Sequence, residues 1–319
     1  MTDSDLLKKA IDKRSDLLSN KENTCFRLFN AGGDGIKGIT IDLFGEYLLV
    51  QHFDDDAQDN KFLKIIYEQS PSLLLSAGLE LKGVLLKNRT KIKAEGDMAA
   101  VRVSSLVIGS HPPENYIVKQ NSLNYKVDLI SGQNTGLFLD MREVRDDMIK
   151  HYPGMKSMLN LFCYTGAFSV HAVKNGLNSS INIDISKTVL NRAKDNFELN
   201  AIKIDTRDFI RGDSSEWIRK FIKIGKTFDL VIFDPPTFSR NKDKSFSVKN
   251  DYIKSLELLK KLAPGGKIFT TINSASLDKK DYISYHLSGF KLLQFWNESS
   301  DFPFEDTPYL KAGLWSVES

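Results

Sequence analysis

The 319-residue chain is short of several features that would mark a protein class at once. It has two cysteines, Cys25 and Cys163, far apart in sequence. That excludes a disulfide framework and any thiolate zinc spacing, and no metal site is expected. With thiols this sparse, the expectation is a cytoplasmic protein with reduced cysteines. No apolar run approaches the roughly 20 residues that span a bilayer, so no membrane partner is expected. The opening Met1-Thr2-Asp3-Ser4-Asp5 is acidic and polar, with no signal-peptide core behind it. The net charge is only +3, so any basic footprint for a polyanion must be local. What remains, at 41% apolar and 27% charged, is a globular composition long enough for two domains.

The first part reads as a small α+β domain over residues 1–115. Helical spacing predicts one amphipathic helix over 6–18. Three short apolar runs, 26–30, 38–42 and 47–53, are separated by glycine turns and predict an antiparallel meander. A helix is expected over 57–70, closed by Pro71, then a strand at 83–87. Lys82, Lys87, Arg89, Lys91 and Lys93 form a local basic stretch, read as a solvated loop, with a phosphate-contacting edge as the alternative. His111-Pro112-Pro113-Glu114-Asn115 reads as the linker.

The second domain is expected over 116–319. A hairpin pattern at 116–129 precedes the small, polar loop Ser131-Gly132-Gln133-Asn134-Thr135-Gly136. From residue 158 strands alternate with helices, which predicts an α/β domain with a parallel, doubly wound sheet. Four successive strand ends carry polar residues on what must be one edge. The first offers Asn160 and the turn Phe162-Cys163-Tyr164-Thr165-Gly166. The second offers Asp184 followed by Ile185, the third Asp213, and the fourth Asp234-Pro235-Pro236-Thr237-Phe238-Ser239. Two prolines after an acid hold that strand end rigid.

The first turn is not Gly-x-Gly-x-x-Gly and has no Walker lysine, so dinucleotide and nucleoside-triphosphate sites are disfavoured. An adenosine ligand without phosphates needs neither feature, and S-adenosylmethionine fits that description. An acid at the second strand end suits a ribose diol. For each acid taken singly, a helix cap or turn is the competing role.

Three stretches carry a family resemblance: Leu159 to Ser169, Gly132 to Arg142, and Asp234 to Phe238. Together they resemble the class I S-adenosylmethionine-dependent methyltransferases of 23S ribosomal RNA. The nearest groups are the cytosine-C5 (RlmI) type and the guanine-N7 (RlmK) module. The resemblance implies a seven-stranded class I methyltransferase sheet beside the small N-terminal α+β domain. It implies S-adenosylmethionine as cofactor and ribosomal RNA as partner, in a family often dimeric. Cofactor contacts would come from Thr135, Gly136, Asn160, Phe162, Tyr164, Thr165, Gly166, Asp184, Ile185, Asp213 and Asp234. The acceptor side would be Asp234, Pro235, Pro236 and Phe238, with Phe238 stacking on the base or closing the loop as a core aromatic.

Two departures bear on chemistry. The N-terminal PUA domain of the RlmI type is not expected here, because the chain begins too late for one. Methylation at cytosine C5 needs a thiolate to add at C6. Ser274 stands where that cysteine belongs, and Cys163 sits in the cofactor turn, where packing is its expected role. The expected reaction is therefore direct transfer to a base nitrogen, guanine N7 or an exocyclic amine. Cytosine C5 methylation by an unusual nucleophile and a small-molecule acceptor are the alternatives.

Overall fold

The computed structural model describes residues 1–53, 57–89, 103–236, 240–241, 244–245, 248–286 and 288–318. The chain forms two compact units, Met1–Arg142 with Ser299–Asp306, and Glu143–Glu298 with Thr307–Ser319. The boundary expected at 115/116 falls inside the first unit.

The first unit holds a five-stranded sheet in sequential order: β1 (Cys25–Asn30), β2 (Ile39–Phe44), β3 (Tyr47–His52), β4 (Gly83–Asn88) and β5 (Ser105–Gly109). The meander β1–β3 is antiparallel as expected, and β4 joins β3 in parallel. A parallel neighbour needs a crossover, and the Ala57–Ser76 helix lies on it. One sheet face, with Phe26, Leu28, Ile39, Ile41, Leu48 and Val50, packs with Leu7 and Ile11 of the Asp3–Asp12 helix and with Phe62 and Ile66. A two-stranded hairpin, β6 (Tyr116–Gln120) and β7 (Leu123–Val127), also belongs here. Its turn residues Asn121 and Ser122 both take positive φ, 50° and 63°, the conformation that matches strand twist in two-residue hairpins.

Two helix expectations need correction. The helix expected over 6–18 is two, Asp3–Asp12 and Ser15–Ser19. Between them Arg14 is buried, and its guanidinium reaches Asp34 (2.7 Å) and the Asp301 carbonyl (2.8 Å). The other helix does not end before Pro71 but runs through it to Ser76. Proline in a helix interior costs about 3 kcal/mol, and fully buried Leu74 beyond it supplies an offsetting apolar contact.

The Ser299–Asp306 segment belongs to the first unit through buried charge. Asp301 accepts from the Arg27 backbone N–H (2.7 Å) and pairs with Arg142 (2.9 Å). The Arg27 guanidinium lies 4.4 Å from the Phe302 ring centre. A side chain at Gly33 would strike the Pro303 carbonyl, so the glycine-rich turn is what lets the segment lie so close.

The second unit is a seven-stranded sheet. Its strands are β8 (Ser157–Leu161), β9 (Ser179–Asp184), β10 (Phe209–Arg211), β11 (Leu230–Phe233), β14 (Lys267–Asn273), β15 (Phe290–Trp296) and β16 (Leu310–Val317). Two-residue β12 (Arg240–Asn241) and β13 (Lys244–Ser245) pair separately. The order is β10-β9-β8-β11-β14-β16-β15, and β16 runs antiparallel to both neighbours. The expected doubly wound, seven-stranded class I arrangement is therefore what the chain forms. The order reverses beside β8, and ligands bind at such a switch point, outside the carboxyl ends of the strands.

Candidate active site

The carboxyl ends of β8, β9, β10, β11 and β14 share one edge, because these strands are mutually parallel. Immediately after β8 the backbone is strained. Phe162 has φ 56°, Tyr164 has φ 50°, and Gly166 has φ 74°. Only glycine takes this region freely, and other residues pay about 1–2 kcal/mol each. Neighbouring strand ends hold the turn in place. The Phe162 N–H donates to the Ser214 hydroxyl (3.3 Å), and the Tyr164 N–H donates to an Asp184 oxygen (3.1 Å). The Cys163 N–H donates to the Ile183 carbonyl (2.9 Å). Thr165 is fully buried, and its carbonyl accepts from Asn196 (2.9 Å). Gly166 opens the Ala167–Lys174 helix, and a Cβ there would sit 3.1 Å from that of Ala193. Backbone strain secured from several sides is a mark of functional turns.

Asp184 ends β9 half-buried, and its second oxygen accepts the Ser186 N–H (2.9 Å). Burial pushes its carboxyl up from the ordinary value despite these hydrogen bonds. The cap of the Lys187–Leu199 helix is Ser186, so Asp184 is left to hold the turn. Ile185 beside it is 57% exposed, an apolar surface at the strand end. Gly212 donates its N–H to the Asp184 carbonyl (3.0 Å), which brings the β10 end alongside. Asp213 follows, and one of its oxygens accepts from Ser215 (2.8 Å) and Glu216 (3.1 Å) as the N-cap of the Ser214–Lys223 helix.

Asn160 lies elsewhere than expected. It sits within β8, 2% exposed, and its amide donates to Ser169 (2.8 Å), whose hydroxyl donates to Asn182 (2.5 Å). These buried polar groups satisfy one another between sheet and helix. Asn160 therefore ties β8, β9 and the Ala167–Lys174 helix together inside the fold.

Asp234 follows β11 directly, half-buried, with Pro235 half-buried and Pro236 exposed. Its carboxylate accepts a hydrogen bond from Thr271 of β14. Phe238, with Thr237 and Ser239, lies outside the described residues. Past β14, the half-buried Ser274 hydroxyl bonds the Ser276 hydroxyl (3.0 Å), which is no base. The Cys163 thiol is buried, and burial pushes it well above the ordinary thiol value. Cys25 is buried in the first unit. Among the described residues no cluster of His, Cys, Asp and Glu could hold a metal.

Thr135 and Gly136 belong to the first unit. The Thr135 carbonyl accepts the Asp128 N–H (2.8 Å), and Gly136 has φ 104°. Their loop is gripped from β4 and just beyond. Lys87 donates to the Gly132 carbonyl (2.9 Å), and Arg89 donates to that of Gln133 (2.7 Å). This corrects the expected solvated loop: Lys87 is 1% exposed and its ammonium is lowered to about 8 by burial, with Arg89 adding to the effect. Lys82 does face solvent, beside Glu46; Lys91 and Lys93 lie outside the described residues.

Sequence reasoning missed Thr271 and Ser214, whose hydroxyls reach site residues on other strand ends. Nothing local marks either one. The strain at Phe162 and Tyr164 was equally unmarked.

The model of the S-adenosylmethionine-dependent methyltransferase family matches residues 34–299. A Bacillus subtilis protein assigned as the ribosomal RNA large subunit methyltransferase YwbD is 32% identical over 89% of this chain and 70% of its own. The ribosomal RNA large subunit methyltransferase I of Aeromonas salmonicida is 31% identical over 83% of this chain and 64% of its own. This chain thus spans about two thirds of the length of these relatives. Among solved structures, SMU.776, assigned as a methyltransferase and complexed with SAH, superposes with a TM-score of 0.84 at 27% identity. That match covers 99% of this chain and 81% of the other.

Proposed function

The chain belongs to the S-adenosylmethionine-dependent methyltransferase family, and from that premise we propose that it methylates a base nitrogen of large-subunit ribosomal RNA by direct transfer. The relatives' names support the RNA. One observation carries the nitrogen: neither thiol of the chain is placed to attack a pyrimidine. Both cysteines are buried, and the Cys163 thiol is held in its neutral form. Ser274, at the position of the missing cysteine, has a second serine rather than a base beside it. C5 methylation needs a covalent adduct; a ring nitrogen such as guanine N7 already has an in-plane lone pair.

S-adenosylmethionine, when bound, supplies an electrophilic methyl on a sulfonium. This chain's residues bind and orient. Asp184 accepts from the ribose hydroxyls, Ile185 lies against the adenine, and the strained 162–166 turn holds the methionine portion. Asp213 shapes the adenine end through its helix cap. Asp234 to Pro236 form the acceptor side, and the target base must be unpaired or flipped out. The nitrogen lone pair forms the new N–C bond as the S–C bond breaks. Positive charge passes from sulfur to the base, and for N7 no proton need leave. Alignment of lone pair with S–C bond is then the main demand, and positioning alone can supply a large part of the barrier reduction.

Calorimetry with S-adenosylmethionine tests the cofactor reading. Binding is expected in the wild type, weakened about tenfold or more in Asp184→Ala through lost charge-assisted hydrogen bonds. Undiminished binding in that variant would remove Asp184 from the site. Mass-spectrometric mapping of ribosomal RNA from a deletion strain is expected to reveal one missing base methyl, restored by the gene. An unchanged methylation map would overturn the RNA reading.

A further inference from the structure

We infer that Thr271 is a positioning residue of the acceptor side, holding the Asp234 carboxylate in one orientation through its hydroxyl. The inference rests on the assignment of Asp234 to the acceptor side. The register makes the contact: Phe233 of β11 pairs with Thr270 of β14, so the next residues, Asp234 and Thr271, lie side by side at the strand ends. Thr271 is 1% exposed on a central strand and pairs on its other side with Ala312 of β16. At such a position valine is nearly isosteric with threonine and avoids the cost of burying a hydroxyl. The hydroxyl has a use, since it donates to Asp234.

Two constraints then act on one residue. Pro235 and Pro236 restrict the backbone that follows Asp234. Thr271 restricts the side chain, which would otherwise turn about its two torsions. A donor on the carboxylate also favours its ionised form. An ionised carboxylate only accepts hydrogen bonds. Asp234 so held is a fixed acceptor for an N–H edge of an extruded base. Thr271 touches neither base nor cofactor in this scheme; it acts through Asp234.

Three variants test this: Thr271→Val, Thr271→Ser and Asp234→Ala. The probe is labelled S-adenosylmethionine with an unmodified transcript of large-subunit ribosomal RNA. Thr271→Val is expected to lower kcat about tenfold or more, with cofactor affinity and melting temperature unchanged. Thr271→Ser, which keeps the hydroxyl, is expected to recover most of the rate. Wild-type kcat in Thr271→Val, alongside a lost rate in Asp234→Ala, would overturn the inference and leave the proposed function standing. So would a loss in Thr271→Val that serine does not restore, or one that tracks a fall in melting temperature. Titration of the Asp234 carboxyl carbon by NMR needs no turnover. Its pKa is expected to rise in Thr271→Val and return in Thr271→Ser; no change overturns the inference. If the wild type moves no methyl to RNA, the proposed function falls and this titration still decides what Thr271 does.

Discussion

Two buried histidines make the methyltransferase unit acid-labile well above the range where carboxylates titrate. His171 lies inside the Ala167–Lys174 helix, 1% exposed, with its Nδ1 3.3 Å from the Tyr152 hydroxyl and Arg145 adding to its discomfort as a cation. His286 stacks on Trp315 at 3.9 Å and 9°. Its Nδ1 is 3.0 Å from the Tyr282 carbonyl, which only accepts, so Nδ1 carries the proton and Nε2 accepts from the Thr270 hydroxyl (2.8 Å). A second proton would have to be given to that hydroxyl oxygen, which already accepts from the Trp315 indole N–H (3.0 Å). Burial lowers each histidine from 6.5 to about 3. A base lowered on folding binds its proton more readily in the unfolded chain. Its stabilising contribution is therefore complete above pH 6.5 and is lost as pH falls from there toward 3. At about 1.4 kcal/mol per pH unit for each histidine, the unit should lose about 4 kcal/mol between pH 7 and pH 5. It should lose about 7 by pH 4, against a typical total of about 5–15 kcal/mol. Trp217, Trp296 and Trp315 are the only tryptophans and all lie in this unit, so their fluorescence reports its unfolding selectively. Urea midpoints should fall by more than about 1 M from pH 7 to pH 5. A constant midpoint over that range would refute the reasoning, as would histidine ring resonances that titrate near 6.5 in the folded protein.

Asp301→Ala should cost the first unit about 3–5 kcal/mol, because the buried Arg142 guanidinium loses this carboxylate and the Arg27 N–H loses its acceptor. Faster amide exchange in β1 and β2, with the tryptophan transition little changed, would show it. Lys87 works in the alkaline range. Its ammonium is lowered to about 8 when folded, so the unfolded chain binds the extra proton between about pH 8 and pH 10, and stability rises with pH across that window. Lys87→Met should abolish that rise in exchange-monitored stability, whereas an unchanged profile would place the effect elsewhere; Tyr67, pushed up to about 12, opposes it only above pH 10.

The alternation of strands and helices after residue 158 was legible because a sheet buried on both faces needs apolar runs, and turn residues separate them. The seven strands formed as expected, with ends shifted by a few residues. Asp184 and Asp234 were placed correctly at strand ends, since an acid after an apolar run can hardly lie inside the sheet. Asn160 was not: nothing local tells whether a polar residue late in a strand faces an edge or a buried partner such as Ser169. The role of Lys87 was hidden for a similar reason, because its partner, the Gly132 carbonyl, is 45 residues away. Pro71 misled because burial of Leu74 beyond it was invisible.

The stretch around Asp234-Pro235-Pro236 shows the division. Local chemistry alone determined an acid held at the end of a buried strand, with prolines to stiffen it; the family resemblance added that Ser274 stands where the cytosine-C5 group has a cysteine. Only the tertiary structure decided that Thr271 of the adjacent strand holds that acid, that Asp184 and Ser214 secure the strained turn after β8, and that both thiols are buried. These depend on strand order and register, which bring distant residues within hydrogen-bond reach, whereas sequence patterns report each segment's preference by itself.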